Sequence, residues 1–162
     1  MAREQGRGQG RGAGGEARIT ARLVNALYTE AMLLADDARA YFDEHGRAER
    51  EALPPMLRVG FSCESLKVTT RLMHVIAWLL TRRAVEAGEL SAEQLADPER
   101  RLGEAAPSDA IMVDGLPEHA RQLIAATSDL HARVRRLDDE IDRIGPPPSP
   151  ARDLMRMLER AF

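Results

Sequence analysis

Between residues 61 and 80 the chain reads FSCESLKVTTRLMHVIAWLL, twenty residues without glycine or proline. Two adjacent apolar stripes run along it at helical spacing. One holds Leu66, Met73, Ile76, Leu80 and Ala84; the other holds Phe61, Val68, Leu72, Val75 and Leu79. A helix with two apolar stripes has to be covered by two other helices, so this segment is expected at the centre of a bundle. Pro54-Pro55 suits its first turn, where a missing N–H costs nothing, and Gly88 suits its C-terminal cap. The predicted helix runs from about Pro55 to Ala87.

Two further long helices flank it. Leu23, Ala26, Leu27, Leu33, Leu34, Ala38, Tyr41 and Phe42 predict a helix over Ile19–Glu44, ended by His45-Gly46. Near the C-terminus, Leu116, Ala120, Leu123, Thr127, Leu130, Val134, Leu137, Ile141 and Ile144 alternate by four and three residues, an a/d seam of about four heptads. Asp114 is placed to cap that helix with Pro117 in its first turn, and Gly145 followed by three prolines ends it. Shorter elements fill the gaps: a helical turn near Arg47–Leu53, and a capping box at Ser91-Ala-Glu-Gln94. Residues 98–115 read as a long surface connection. The fold class expected is therefore all-α, an antiparallel three-helix bundle with short accessory helices and flexible termini.

Three regions follow. Residues 1–17 are rich in Gly and Arg with nothing to bury, and are expected to be a disordered tail. Residues 18–145 form the bundle, and 146–162 a Pro-rich linker with a short amphipathic segment. On that segment Leu154, Leu158 and Phe162 fall at i, i+4 and i+8, with Met155 and Met157 beside them. A helix this short is marginal alone, so it is expected to dock on the body or on a partner.

Charge changes the picture modestly. The net charge is −3, carried as +2 on Met1–Arg18, +1 on Pro146–Phe162 and −6 on the body between them, which argues against a nucleic-acid binder. One cysteine, Cys63, cannot form an intrachain disulfide and fits a reducing compartment. With no apolar leader and no membrane-length apolar run, the chain is expected in the cytoplasm.

Candidate chemistry is thin. His45, His74, His119 and His131 show no metal-ligand spacing, and Cys63 is expected to be a small buried hydrophobe. The acidic run Asp138, Asp139, Glu140 and Asp142 reads as a solvated helix face. No catalytic group, cofactor or metal site is expected. One polar set stands out: Glu64, Lys67, Thr70, Arg71 and His74 share a face of the central helix, either solvated or a partner-docking surface. A histidine-phosphotransfer bundle is the rival among small helical proteins, yet neither His119 nor His131 sits in a His-x-x-Lys-Gly arrangement. A purely structural coiled-coil dimer is a further alternative.

The block MLRVGFSCESLKVTTRLMHVIAWLLTRRAVEAGE at Met56–Glu89 resembles the signature of the RcdA family, regulators of CtrA degradation. The likeness continues in LYTEAMLLADDARAYFDEHG at Leu27–Gly46, in ALPPM at Ala52–Met56 and in LPEHARQLI from Leu116, spanning roughly Leu23–Ile144. The resemblance implies a dimeric three-helix bundle without enzymatic activity that acts as an adaptor for the ClpXP protease in the cell cycle. It implies binding to ClpX primed by a response-regulator-like adaptor, then recruitment of cargo transcription regulators or of a cyclic-di-GMP-binding adaptor that brings CtrA. Transient concentration at a cell pole and a functional flexible C-terminal tail are also implied. The resemblance is not traced into the Gly/Arg-rich start or into Ala151–Phe162. The candidate partner-binding residues are Glu64, Lys67, Arg71 and His74 on the central helix, and Leu154, Met157, Leu158 and Phe162 in the terminal segment.

Overall fold

The computed structural model describes residues 12–144 together with 154, 155, 157 and 158. Three long helices dominate: α1 (Gly12–Ala40), α3 (Pro55–Glu86) and α6 (Glu118–Ile144). Short α2 (Arg47–Glu51), α4 (Ala92–Leu95) and α5 (Ala110–Asp114) lie in the connections. No strand occurs among the described residues. As two covering helices required, α3 packs against both α1 and α6.

The direction of each helix follows from cross-helix pairs. Tyr28, early in α1, lies under the Arg83 guanidinium late in α3, while Phe42 meets Phe61 at the opposite end. Glu30 pairs with Arg133, and Asp37 with His119. Hence α1 is antiparallel to both partners, and α3 and α6 run the same way. Parallel neighbours need a connection that returns along the whole bundle, and residues 87–117 supply it.

Local chemistry sets the ends. Gly88 has φ +74°, and the Glu89 N–H reaches the Ala84 carbonyl at 2.9 Å, a Schellman closure of α3 that an L side chain would strain. The expected capping box is present: Gln94 N–H donates to Ser91 Oγ at 3.1 Å, and Ser91 N–H to Gln94 Oε1 at 2.9 Å. Asp114 does not cap α6 as expected; it closes α5, which is itself capped by Asp109 accepting from Ile111 and Met112 N–H. The first long helix begins at Gly12, upstream of the expected Ile19, and so takes in residues 12–17 of the expected tail. It ends in a π-helical turn, Tyr41–His45.

The core joins Val24, Leu27, Ala31, Ala38 and Tyr41 of the first helix and its turn to one stripe of α3 and the seam of α6. Ala31 and Ala38 keep that contact narrow, so Leu23 and Leu33, expected inside, stay exposed. The seam is buried from Leu116, just ahead of α6, to Val134, then opens: Leu137 and Ile141 are half-buried and Ile144 is exposed.

Candidate interaction surface

Apart from Thr70, which is exposed, the polar face of α3 is neither solvated nor free. The chain's own return connection lies along it. From Arg101 to Ser108 the backbone runs over α3 and α6, held by side chains that reach its carbonyls. Lys67 Nζ donates to the Pro107 carbonyl at 3.0 Å, and Arg71 Nη2 to that of Ala106 at 3.2 Å. His131 Nε2 lies 3.0 Å from the Gly103 carbonyl, which also accepts from Arg135. Ser108 Oγ joins the two charges of the face, 2.5 Å from Glu64 Oε2 and 2.8 Å from Arg71 Nη2. Glu64 and Arg71 are consequently 1% and 3% exposed. Lys67 completes the set by pairing with Glu64 Oε1 at 2.8 Å. His74 packs where Gly103 passes: a Cβ there would lie 2.6 Å from its Nδ1. Of the four residues expected to meet a partner on this face, two are interior and two line the rim of an intrachain contact.

The upper end of the return segment is anchored by a residue expected to be solvated. Asp138 is fully buried. It accepts from Trp78 Nε1 at 2.8 Å, Arg101 Nε at 2.8 Å and the Leu102 N–H at 3.2 Å, with Arg82 at 3.7 Å. Burial alone would raise its pKa, but the hydrogen bonds from Arg101, Trp78 and Leu102 outweigh that and hold it below the usual carboxylate range. Arg101 also pairs with Asp139 and Asp142, so three members of the acidic run share one guanidinium. Burial lowers the pKa of Arg82, which stacks on Trp78, and likewise that of Arg71. It also depresses His131, whose hydrogen bond to Gly103 opposes the shift only in part. Nothing in the spacing of the sequence points to Arg101, Ser108, His131 and Asp138 as one network; they meet only because the connection folds back.

The other face of α3 shows the opposite departure. Of the two expected stripes, Phe61, Val68, Leu72, Val75 and Leu79 are buried, whereas Leu66 is 68% and Met73 64% exposed, and Leu80 is exposed too. Cys63, expected inside, lies on this outer face. The two covering helices occupy one side of α3 and leave Leu66, Met73 and Leu80 of the second stripe outside, while its Ile76 is half-buried against the core.

The terminal candidates stand apart from the body's core. Leu154, Met157 and Leu158 are exposed, with Met155, and all four are helical. Phe162 lies outside the described residues, as do residues 1–11 of the expected N-terminal tail and the Pro-rich linker. Among the described residues no group of three or more His, Cys, Asp or Glu could hold a metal ion, and no helix is long and apolar enough to cross a membrane. His119, one of the two histidines weighed for phosphotransfer, is paired with Asp37 at 3.0 Å and stacked on Tyr41.

Comparison with known proteins places this architecture. Residues 15–162 match the model of a family described as "Protein of unknown function (DUF1465)". The fold matches the crystal structure of RcdA from Caulobacter crescentus CB15 with a TM-score of 0.60 and 32% identity, over 73% of this chain and 89% of that one. No curated protein matches the sequence.

Proposed function

The chain belongs to the RcdA family, and on that footing we propose that it is a non-enzymatic adaptor for the ClpXP protease. In this reading it links primed ClpX to cargo transcription regulators such as CtrA, or to a cyclic-di-GMP-binding adaptor that carries them, and it works as a homodimer in the cytoplasm. The observation that carries the reading is the match to RcdA over most of both chains. The architecture suits it. An adaptor has to hold several partners at once, so it needs a rigid body and exposed recognition surfaces, and tethering raises effective concentration without large interfaces. The bundle, pinned by its own return segment, supplies the body; Leu154, Met157 and Leu158 supply an exposed apolar strip suited to a partner groove. On α3, the exposed Thr70 and the half-buried Lys67 and His74 are the members of the polar set that a partner can reach directly. Glu64 and Arg71 act through the segment they hold.

Reconstituted ClpXP degradation of candidate cargo, with and without this chain and the primer, tests the reading. Faster cargo turnover that requires both supports it. Turnover unchanged by the chain, with no retention on primed ClpX, overturns it.

A further inference from the structure

We propose that the groove between α2 and the first turns of α3 is a docking site for a partner segment that sets an acidic side chain beside apolar ones. This deepens the adaptor reading above by naming the chemistry of what is held, and it rests on that reading only for the partner's role. The groove, about 370 Å³, lies between Arg50 and Glu51 at the end of α2 and one flank of α3. Arg58 and Ser62 stand one turn apart on that flank, with Val59, Cys63 and Leu66 beside them at i, i+4 and i+7. All five are exposed, Val59 by 59% and Leu66 by 68%. Apolar side chains left in water among polar groups are the mark of an interaction site.

The charges identify the occupant. The side chains of Arg50 and Arg58 make no hydrogen bond or ion pair among the described residues, whereas Arg71, Arg101, Arg133 and Arg135 are all engaged within the fold. Glu51, the other charge lining the groove, pairs with neither, so two open cations stand against one anion. An open guanidinium takes a carboxylate through two parallel N–H···O bonds, and the Ser62 hydroxyl adds a donor on the same flank. Val59, Cys63 and Leu66 then receive apolar side chains of the same segment. The body as a whole is acidic, at −6 over residues 19–145, so these cations exert no general pull on an acidic partner; they fix where it lands. The chain's own surfaces match less well. Its stretch 146–162 is net positive at +1 with three arginines, and a second copy's α3 carries no charge at an exposed position between Val59 and Leu80.

Selection of peptides from a random display library on the full chain, with Arg50→Glu/Arg58→Glu as the counter-target, tests the groove. Peptides enriched on the parent should carry Asp or Glu within a turn of Leu, Ile, Val or Phe, and should bind the variant on the order of tenfold or more weakly. Cys63, the chain's one cysteine, reports the position: a selected peptide should slow its alkylation, since the thiol is exposed and lines the groove. Arg50→Gln/Arg58→Gln, which removes the charges without reversing them, should weaken the same peptides with melting retained, because neither side chain is engaged in the fold. A consensus free of acidic residues, binding by the charge-reversed variant equal to the parent's, or a bound peptide that leaves Cys63 alkylation unchanged would each overturn the proposal. So would loss of self-association in the variants with no peptide selected, which would give the groove to a second copy. Peptides bound as expected by a chain that fails to speed degradation leave the groove standing and sink the adaptor reading. Faster degradation by a chain whose groove selects nothing does the reverse.

Discussion

Trp78 Nε1 donates a 2.8 Å hydrogen bond to Asp138 Oδ1, tying the buried face of α3 to a fully buried carboxylate of α6. That bond fixes the axial register of two parallel helices. It also holds the carboxylate where Arg101 and the Leu102 N–H arrive from the return segment. Trp78→Phe keeps most of the packing and removes one donor, so a loss of about 1–3 kcal/mol is expected. Asp138→Leu leaves Arg82, Arg101, Trp78 and Leu102 without their acceptor, and roughly 3–5 kcal/mol is expected. Chemical denaturation of both variants checks the order; equal costs would show that the carboxylate is no hub.

Acid should weaken the fold in two steps. His131 has its pKa depressed in the folded chain, so the unfolded chain binds the proton first. Its contribution is full above the ordinary value of 6.5 and is lost as pH falls from there through the lower folded pKa. Asp138 is also depressed, and its contribution is lost only as pH falls below 3.8 through the folded pKa. Melting temperature against pH should therefore decline below about 6.5, and His131→Gln should flatten that first limb while leaving the second.

Gly103→Ala should loosen the return segment. The added Cβ would sit 2.6–2.8 Å from ring atoms of His74, including Cγ, which cannot swing clear without moving the whole ring. A cost of about 1–3 kcal/mol is expected, as for other overpacked sites. Amide exchange over residues 101–108 should quicken more than that of the α3 core. Adding His74→Ala should recover part of the loss, a coupling that a purely local backbone effect would not produce.

Removal of residues 146–162 should leave the melting of the bundle nearly unchanged while slowing adaptor-dependent degradation. Leu154, Met157 and Leu158 are exposed, so losing them should cost the body no more than about 0.5 kcal/mol. Thermal melting and degradation by primed ClpXP, measured on the same preparation, separate the two effects. A truncated chain that delivers cargo as well as the parent would dismiss this segment as a docking element.

Charge reversal by Lys67→Glu should lower cargo turnover, and part of that effect should run through the body. The new carboxylate would face Glu64 in place of the 2.8 Å pair and would leave the Pro107 carbonyl without its donor. Arg71→Glu should be the more severe, since Arg71 is buried and holds both Ala106 and Ser108. Turnover compared at equal folded fraction, read by near-ultraviolet circular dichroism, distinguishes a lost contact from a loosened bundle.

Much of the architecture was legible in local pattern. The limits of α3, its Schellman closure at Gly88, the capping box at Ser91 and the buried run of α6 from Ala120 to Val134 all depend on neighbours within a turn or two, which spacing and propensity record. The residue order of Met56–Glu89 carried the family as well. Spacing could not say which of two apolar stripes on α3 the covering helices would take. Leu66 and Met73 have the same hydrophobicity and period as residues that became core, and only the positions of α1 and α6 decided that they stay outside. Nor could an acidic run announce that Asp138 would be buried while Asp139 and Asp142 stay at the surface. That outcome depends on a connection of some thirty residues turning back along α3 and bringing Arg101, Gly103 and Ser108 to side chains 28–44 positions away. Short-range order belonged to the sequence; the closing of long loops, which chooses partners between distant segments, belonged to the fold.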